Sequence, residues 1–425
     1  MRLKFIQSGY NRFFFKPIPA SSLGIFRILF SLVMLANAVL LFPDLKTWFS
    51  ESGVLPNSLA KDLLSGIRIN VFNLFPPTDF TLYSVFSIYL LSILCLLFGI
   101  FTRTATVLAW ILTVSFHHRN TLILNSGDTV MRCLLFYMIF APLGKTFSVE
   151  RLIRVLRGKE EEGNTLFIPW SQRLMQIQVA VMYLATVAWK LRGEMWVQGT
   201  AVFYTSRLKE FERFPMPAWT RTLWYSQISS YFALAVEFSM GALVWIREWR
   251  YPILLSGLLL HLGLEYSMNV PVFQWFVLST YVLFIEHSKW VEWKTRIIGF
   301  SSARERVYFD GDCGFCTRTV QVIEHLDLLN RFEFVSFRKK AILVDKKFPA
   351  ERADSEVLMN RKGEWIGGYD VFREMAKKLP LTLLIVPFLY LPPVPQVGRL
   401  IYKWVARNRQ RISDLLKMNT VCRRD

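Results

Sequence analysis

The chain has 425 residues, 53% hydrophobic and 15% aromatic, with a formal net charge of +19. In a soluble protein that charge would suggest nucleic acid. Here the apolar residues concentrate in long runs before residue 287, and much of the charge lies in the loops between them, where it sets topology instead. No nucleic-acid partner is therefore expected. Five cysteines without a secreted framework argue against a disulfide scaffold. No internal repeat, low-complexity segment or cleavable signal peptide is evident.

Taken in order, residues 1–22 carry Arg2, Lys4, Arg12 and Lys16, which the positive-inside tendency keeps in the cytoplasm. Spanning a bilayer takes about 20 apolar residues, and the first such run is 23–42, with Arg27 inside it. A polar loop over 43–78 leads to runs at 82–101 and 105–116, joined by a turn holding Arg103. His117-His118-Arg119-Asn120 and Asn125-Ser126-Gly127-Asp128 precede a fourth run ending near 143. The arginine-rich segment 145–157 reads as a second cytoplasmic loop, and a fifth run covers 174–190. The long loop 191–225 is aromatic and basic (Arg207, Lys209, Arg213, Arg221), against the charge rule if it lies outside. Runs at 231–246, 252–268 and 272–285 complete eight, and Lys289, Lys294 and Arg296 mark the cytoplasmic side again. The expectation is a polytopic all-α membrane bundle of about eight spans over 23–287 and a linker over 288–304. A small α/β domain over 305–425 follows, with a basic C-terminal helix. Both termini then lie in the reducing cytosol.

In that last domain, Val307-Tyr308-Phe309 reads as a strand entering an Asp310-Gly311 turn, and Cys313-Gly314-Phe315-Cys316 opens a helix over 317–326. The first cysteine falls at the helix N-terminus, where unpaired N–H groups and the dipole favour a thiolate. Cys316 lies one turn on, placed to resolve a mixed disulfide. A Cys-x-x-Cys beside a βαβ-like pattern is a redox signature. Asp310 and Asp312 support the loop and push the thiol pKa the other way. A structural zinc needs about four ligands. Cys95 and Cys133 lie in apolar runs and Cys422 near the C-terminus, so no metal is expected.

Further on, 332–337 reads as a strand, 356–359 and 365–366 as a hairpin around Lys362-Gly363, and 371–379 as a short helix. The apolar stretch 381–391 is too short to span and is broken by prolines at 387, 392, 393 and 395. It is expected to pack against the membrane or the bundle. Residues 398–418 mix Leu, Ile, Trp and Val with many arginines, which fits a helix lying on an anionic surface or an ordinary solvated amphipathic helix. With the Asp-x-Asp-Cys-x-x-Cys opening, Asn360 to Gly368, and Trp404-Val405-Ala406-Arg407-Asn408-Arg409, residues 306 to about 410 resemble the DCC family of thiol–disulfide oxidoreductases. The resemblance implies a thioredoxin-like fold and dithiol chemistry. Thioredoxins place a cis-proline beside the cysteine pair, and Ser355-Glu356-Val357 offers none.

Ionisable groups inside spans are costly and so are functional candidates. Lys190 ends the fifth run within Trp189-Lys190-Leu191-Arg192-Gly193-Glu194-Met195-Trp196. A lysine in an apolar pocket can work as a base near neutral pH; alternatively it snorkels to the interface beside Trp189. Residues 20–287 resemble the HTTM family, bacterial relatives of the membrane part of vitamin K-dependent γ-glutamyl carboxylase. The match covers Pro19 to Arg27, His117 to Arg132, Lys190 to Trp196, and His261. It implies that Lys190 corresponds to the base that deprotonates a reduced quinone. It also implies a quinone-sized pocket lined by His117, His118, Asp128, Arg132 and His261, with Arg27 and Trp196 in the same binding set. The carboxylases carry a lumenal domain where this chain carries the dithiol domain. The function expected is therefore a membrane thiol–disulfide oxidoreductase exchanging electrons with a redox partner protein or a quinone. The alternatives are a carboxylase-like enzyme using Lys190, and a non-catalytic maturation factor or scaffold.

Overall fold

The computed structural model describes residues 2–57, 59–60, 68–157, 165–270, 272–299, 304–327, 330–338, 348–361 and 364–415. The chain divides into two compact units, one of residues 1–151 and 161–287, the other of 152–160 and 288–425. The predicted hairpin turn at Lys362-Gly363, the end of the C-terminal helix beyond 415, and Cys422 lie outside the described residues.

The first unit is helical. Its principal helices are α1 (Arg2–Phe15), α2 (Ser21–Leu41), α3 (Asp79–Phe98), α4 (Thr102–Arg119), α5 (Ser126–Met138), α6 (Trp170–Lys190), α7 (Leu223–Phe238), α8 (Arg247–Ser267) and α9 (Phe273–Tyr281). Each of the eight predicted apolar runs falls on one of α2 to α9. Among the described residues, only Ser21–Phe49 and Asp79–Phe98 are both long and apolar enough to cross a membrane. The segment 191–225 is not a plain loop: it holds short helices at Glu194–Val197 and Ala201–Thr205, and α7 already starts at Leu223. The predicted linker also differs, because it begins as a helix, α10 (His287–Gly299). Its Trp, Val and Ile spacing with intervening charges suffices for an amphipathic helix.

Local chemistry explains the helix ends. Thr78 Oγ1 accepts from the Thr81 N–H at 3.2 Å to start α3. Gly99, at φ +70, ends it in the left-handed conformation that favours glycine. α4 lacks a cap from its own chain neighbours, and Glu150 supplies one, accepting from the Thr102 N–H at 3.0 Å and hydroxyl at 2.9 Å. α5 carries a capping box formed by Asn125 and Asp128. The helices pack in sequence as neighbours, and α9 returns to α2 and α5 to close the ring. Phe26, Phe30 and Met34 of α2 are fully buried, and Phe30 meets Phe276 of α9 at 5.4 Å between ring centres.

Arg27 is fully buried in α2 and is spent on backbone. It donates to the Leu143 carbonyl at 2.9 Å and the Phe147 carbonyl at 2.5 Å, tying the turn after α5 to α2. The sequence reading puts Arg27 in the binding set; the structure gives its guanidinium this backbone-holding role. Arg27→Met should strand both carbonyls, at a cost of about 3 kcal/mol. A thermal-unfolding shift of the purified protein measures this, and an unchanged melting temperature would refute the clamp.

The second unit is built on a four-stranded sheet. Strand β1 (Glu305–Phe309), helix α11 (Gly314–Leu326) and strand β2 (Phe332–Ser336) form a parallel βαβ unit, with Val307 opposite Phe334. Strands β3 (Leu358–Arg361) and β4 (Glu364–Gly367) form an antiparallel hairpin. β3 also pairs antiparallel with β1, so the sheet order is β2-β1-β3-β4. Side chains alternate across it. Val307, Phe332 and Met359 pack on one face with Ile323 of α11 and with Val371 and Met375 of α12 (Tyr369–Ala376). Tyr308, Leu358 and Trp365 pack on the other face with Phe337 and Phe348. After α12 come α13 (Val386–Tyr390) and the long α14 (Val394–Leu415). α14 packs along α11 and α12.

Candidate functional site

Cys313 is the N-cap residue of α11, held in extended backbone by the turn before it. That turn forms because the Asp310 carboxylate accepts from the Asp312 N–H at 3.1 Å and the Asp310 carbonyl from the Cys313 N–H at 3.3 Å. The helix then aims its free N–H groups at sulfur: the Cys316 N–H lies 3.5 Å from Cys313 Sγ. Both cysteines are free thiols, partly buried.

The acidic neighbours do less than the sequence implied. Asp312 is exposed, whereas Asp310 is buried and held by two cations. Arg338 binds it bidentately at 3.1 and 3.2 Å, and Arg409 of α14 reaches it at 3.3 Å. Arg409 also lies 4.0 Å from Cys316 Sγ and donates to the Asp354 carbonyl at 3.0 Å. Burial pushes the Asp310 carboxyl up, but the Arg338 bonds, the Asp312 N–H and the two guanidinium charges outweigh it, so the group sits below the ordinary carboxylate value.

The thiols are correspondingly split. The Cys316 thiol donates to Cys313, and this bond, with the Cys316 N–H and the charge of Arg409, brings Cys313 down to about 6 against the opposing effects of burial and Asp310. The same bond, burial and the negative charge on Cys313 push Cys316 far up. A thiolate with a protonated thiol one turn away is the arrangement that thiol–disulfide exchange requires. Beside it, Cys316, Phe315, Val357, Tyr402 and Arg409 line a small apolar cavity of about 50 Å³. Val357, which lines that cavity, has both main-chain groups engaged: its N–H donates to the Tyr402 hydroxyl at 3.0 Å and its carbonyl accepts from the Gly368 N–H at 2.9 Å.

The helical unit holds a second cluster. Lys190, at the end of α6, pairs with Glu237 in the last turn of α7 at 2.5 Å and lies 4.4 Å over the Trp196 ring. The chain after Glu237 widens into a π-helical turn, Ser239–Leu243, a local form frequent at functional sites. Nearby, the Tyr183 hydroxyl bonds His261 Nε2 at 2.7 Å and the Tyr281 hydroxyl at 2.8 Å, and Gln274 Oε1 sits 2.5 Å from His261 Nδ1. Lys190 is therefore one partner of an ion pair rather than the lone amine expected from sequence. Lys190 also closes one end of a cleft of about 440 Å³ between α5 and α6, lined by Val130, Leu134, Met182, Ala185 and Trp189.

The predicted ligand set does not converge. His117 and Asp128 lie 3.5 Å apart and line a cavity of about 110 Å³ with Tyr89, Asn120 and Asn125. That lining does not include Arg27, His118, Arg132, Trp196 or His261. His118 turns away to the Ile69 carbonyl at 3.0 Å, with Arg132 close enough to act on its charge. The reason is helical: adjacent residues point about 100° apart, so His117 and His118 cannot face one ligand together. Asp128 is partly consumed as a helix cap, accepting from the Asn125 N–H at 2.7 Å. Among the described residues no group of three or more His, Cys, Asp or Glu side chains could hold a metal ion. Sequence reasoning missed Glu237, Tyr183, Tyr281, Arg338 and Arg409. Glu237 had a usable signal, a lone carboxylate in an apolar run; Arg338 had none.

A helical unit followed by a small sheet-containing unit with a cysteine pair at a helix start defines a two-module protein. Residues 15–290 match the HTTM domain, and because this covers more than half of the chain, the protein belongs to the HTTM family. Residues 307–415 match the DCC1-like thiol-disulfide oxidoreductase family, so both resemblances hold, in the expected order. No curated protein and no solved structure matches the chain. HTTM membership and the two apolar helices point to a membrane protein, and the DCC1-like domain supports a thiol–disulfide oxidoreductase role.

Proposed function

We propose that this protein is a multi-pass membrane thiol–disulfide oxidoreductase, with a thioredoxin-like dithiol domain in the cytosol. The observation that carries the reading is Cys313 at the start of α11, below its ordinary pKa, with Cys316 as its hydrogen-bond donor. The Cys313 thiolate attacks a substrate disulfide, the S–S bond breaks, and the substrate thiolate leaves and takes a proton. Cys316 then gives up its proton and attacks the mixed disulfide, releasing the second substrate thiol and closing the Cys313–Cys316 disulfide. Two electrons pass to the substrate, and a dithiol partner returns them by the reverse steps. The order β2-β1-β3-β4, with β3 alone running against the other three strands, supports the thioredoxin-like assignment.

Labelling with a thiol-reactive maleimide tests the reaction. Two thiols of the purified protein should vanish on treatment with a small disulfide and return with a dithiol reductant. If Cys313 and Cys316 stay labelled throughout, the redox role fails.

The eight-span reading is supported by helices at all eight predicted runs and by large apolar side chains on their outer faces, such as Leu32, Leu40, Leu91, Leu255 and Leu259. It puts both termini inside. A reporter fused after Asp425 should be active only if it is a cytosolic type; activity of a periplasm-dependent reporter would overturn the topology. The cleft ending at Lys190 favours one addition, a quinone whose apolar part lies along Val130, Leu134, Met182 and Ala185. A quinone would supply two-electron chemistry there. A carboxylase-like role for Lys190 has less support, since its amine is already paired with Glu237.

A further inference from the structure

α14 has three distinct faces. Tyr402, Val405, Ala406 and Arg409, at three- and four-residue spacing, turn inward, where they line the cavity beside Cys316. Arg399, Lys403, Arg407 and Arg411 recur every fourth residue along a second, exposed face. Arg399 is pinned by Asp370 at 3.0 and 3.1 Å. Lys403, Arg407 and Arg411 have no acidic partner among the described residues. The third face carries Val397, Leu400, Ile401 and Trp404, with Leu400 68% and Trp404 63% exposed. Phe388 of α13, which packs against α14, and Leu391 just after it extend the exposed apolar surface.

A water-facing helix has no reason to present four large apolar side chains on one stripe. With tryptophan among them and an unpaired basic row along one edge, the pattern is that of a helix lying in a bilayer interface. We infer that α14 docks the dithiol domain on an anionic lipid surface, inserting Leu400, Ile401 and Trp404 and setting Lys403, Arg407 and Arg411 among the headgroups. Charge complementarity selects the lipid class: the row is wholly cationic, so phosphatidylglycerol-like headgroups are favoured over zwitterionic ones. Because Arg409 lies on the inward face, docking leaves the dithiol contacts intact. The inference rests on the surface of α14 and not on the redox reading.

The test uses the full chain in nanodiscs carrying a photoactivatable lipid, either in phosphatidylcholine alone or with phosphatidylglycerol added. Peptides covering 394–411 should cross-link to lipid, several-fold more with phosphatidylglycerol present. Leu400→Glu combined with Trp404→Glu should abolish the cross-links, and Lys403→Glu combined with Arg407→Glu should erase the preference for phosphatidylglycerol. Cys313 alkylation at the wild-type rate shows that each variant is folded. The charge-reversal pair is exposed, so it keeps the test valid if the apolar variant fails to fold. Absence of lipid cross-links on 394–411, or equal cross-linking in both lipids, overturns the proposal. Cross-links from these residues to the protein's own helices instead of lipid also overturn it. None of these outcomes bears on whether the dithiol cycles.

Discussion

Cys316→Ser should accumulate a mixed disulfide through Cys313, while Cys313→Ser should accumulate none and lose exchange by on the order of a thousandfold or more. The asymmetry follows from geometry. Only Cys313 caps α11, and only it receives the Cys316 N–H at 3.5 Å. Serine at 316 can still donate a hydrogen bond to the thiolate but cannot release the bound substrate. Mass spectrometry of the trapped species decides the matter, and equal trapping by both variants would remove the assigned order. The pH dependence has a definite sign. Cys313 sits at about 6, so its alkylation rate should climb as pH rises through 6 and level off above it. An ordinary thiol continues to gain up to about 8.5. At pH 7 a group with a pKa near 6 is roughly nine-tenths ionised. Arg409→Leu removes a nearby positive charge and should move the midpoint upward. An unchanged midpoint would show that the Cys316 bonds alone hold the thiolate.

Glu237→Gln and Lys190→Met should each destabilise the helical unit by about 3 kcal/mol, and the double variant should recover much of that loss. The cost arises because the mostly buried pair at 2.5 Å leaves an uncompensated charge when one member is removed. A double-mutant cycle on unfolding in detergent isolates the coupling. Lys190→Arg keeps the cation for Glu237 and should lose less stability than Lys190→Met. Its stability also separates two roles for Lys190. If Lys190→Arg is stable and retains any quinone-dependent turnover, the side chain is a fixed cation, because a guanidinium cannot serve as a base. If it is stable but inactive in that turnover, proton transfer through the amine is favoured. Additive single-variant costs would show that the pair is only a contact.

The sequence alone determined the order of the two modules, the helix on each apolar run, the βαβ entry to the dithiol and the place of Cys313 at a helix start. These are local properties. Apolar period, turn residues and caps act within a few positions, so Asp310-Gly311 followed by Cys313 specifies that turn wherever the domain sits. Charge balance is not local. Asp310 and Asp312 read as two acids opposing a thiolate, until folding brings Arg338 and Arg409 from distant segments onto Asp310. Lys190 reads as an isolated amine, until α7 packs on α6 and supplies Glu237. Arg27 and the histidines read as one ligand set because they fall in matching segments. Only the tertiary structure shows that Arg27 satisfies two backbone carbonyls and that His117 and His261 serve separate networks. The physical reason is that the energy of a charge depends on every group within a few ångströms, and linear spacing places only the few groups next along the chain.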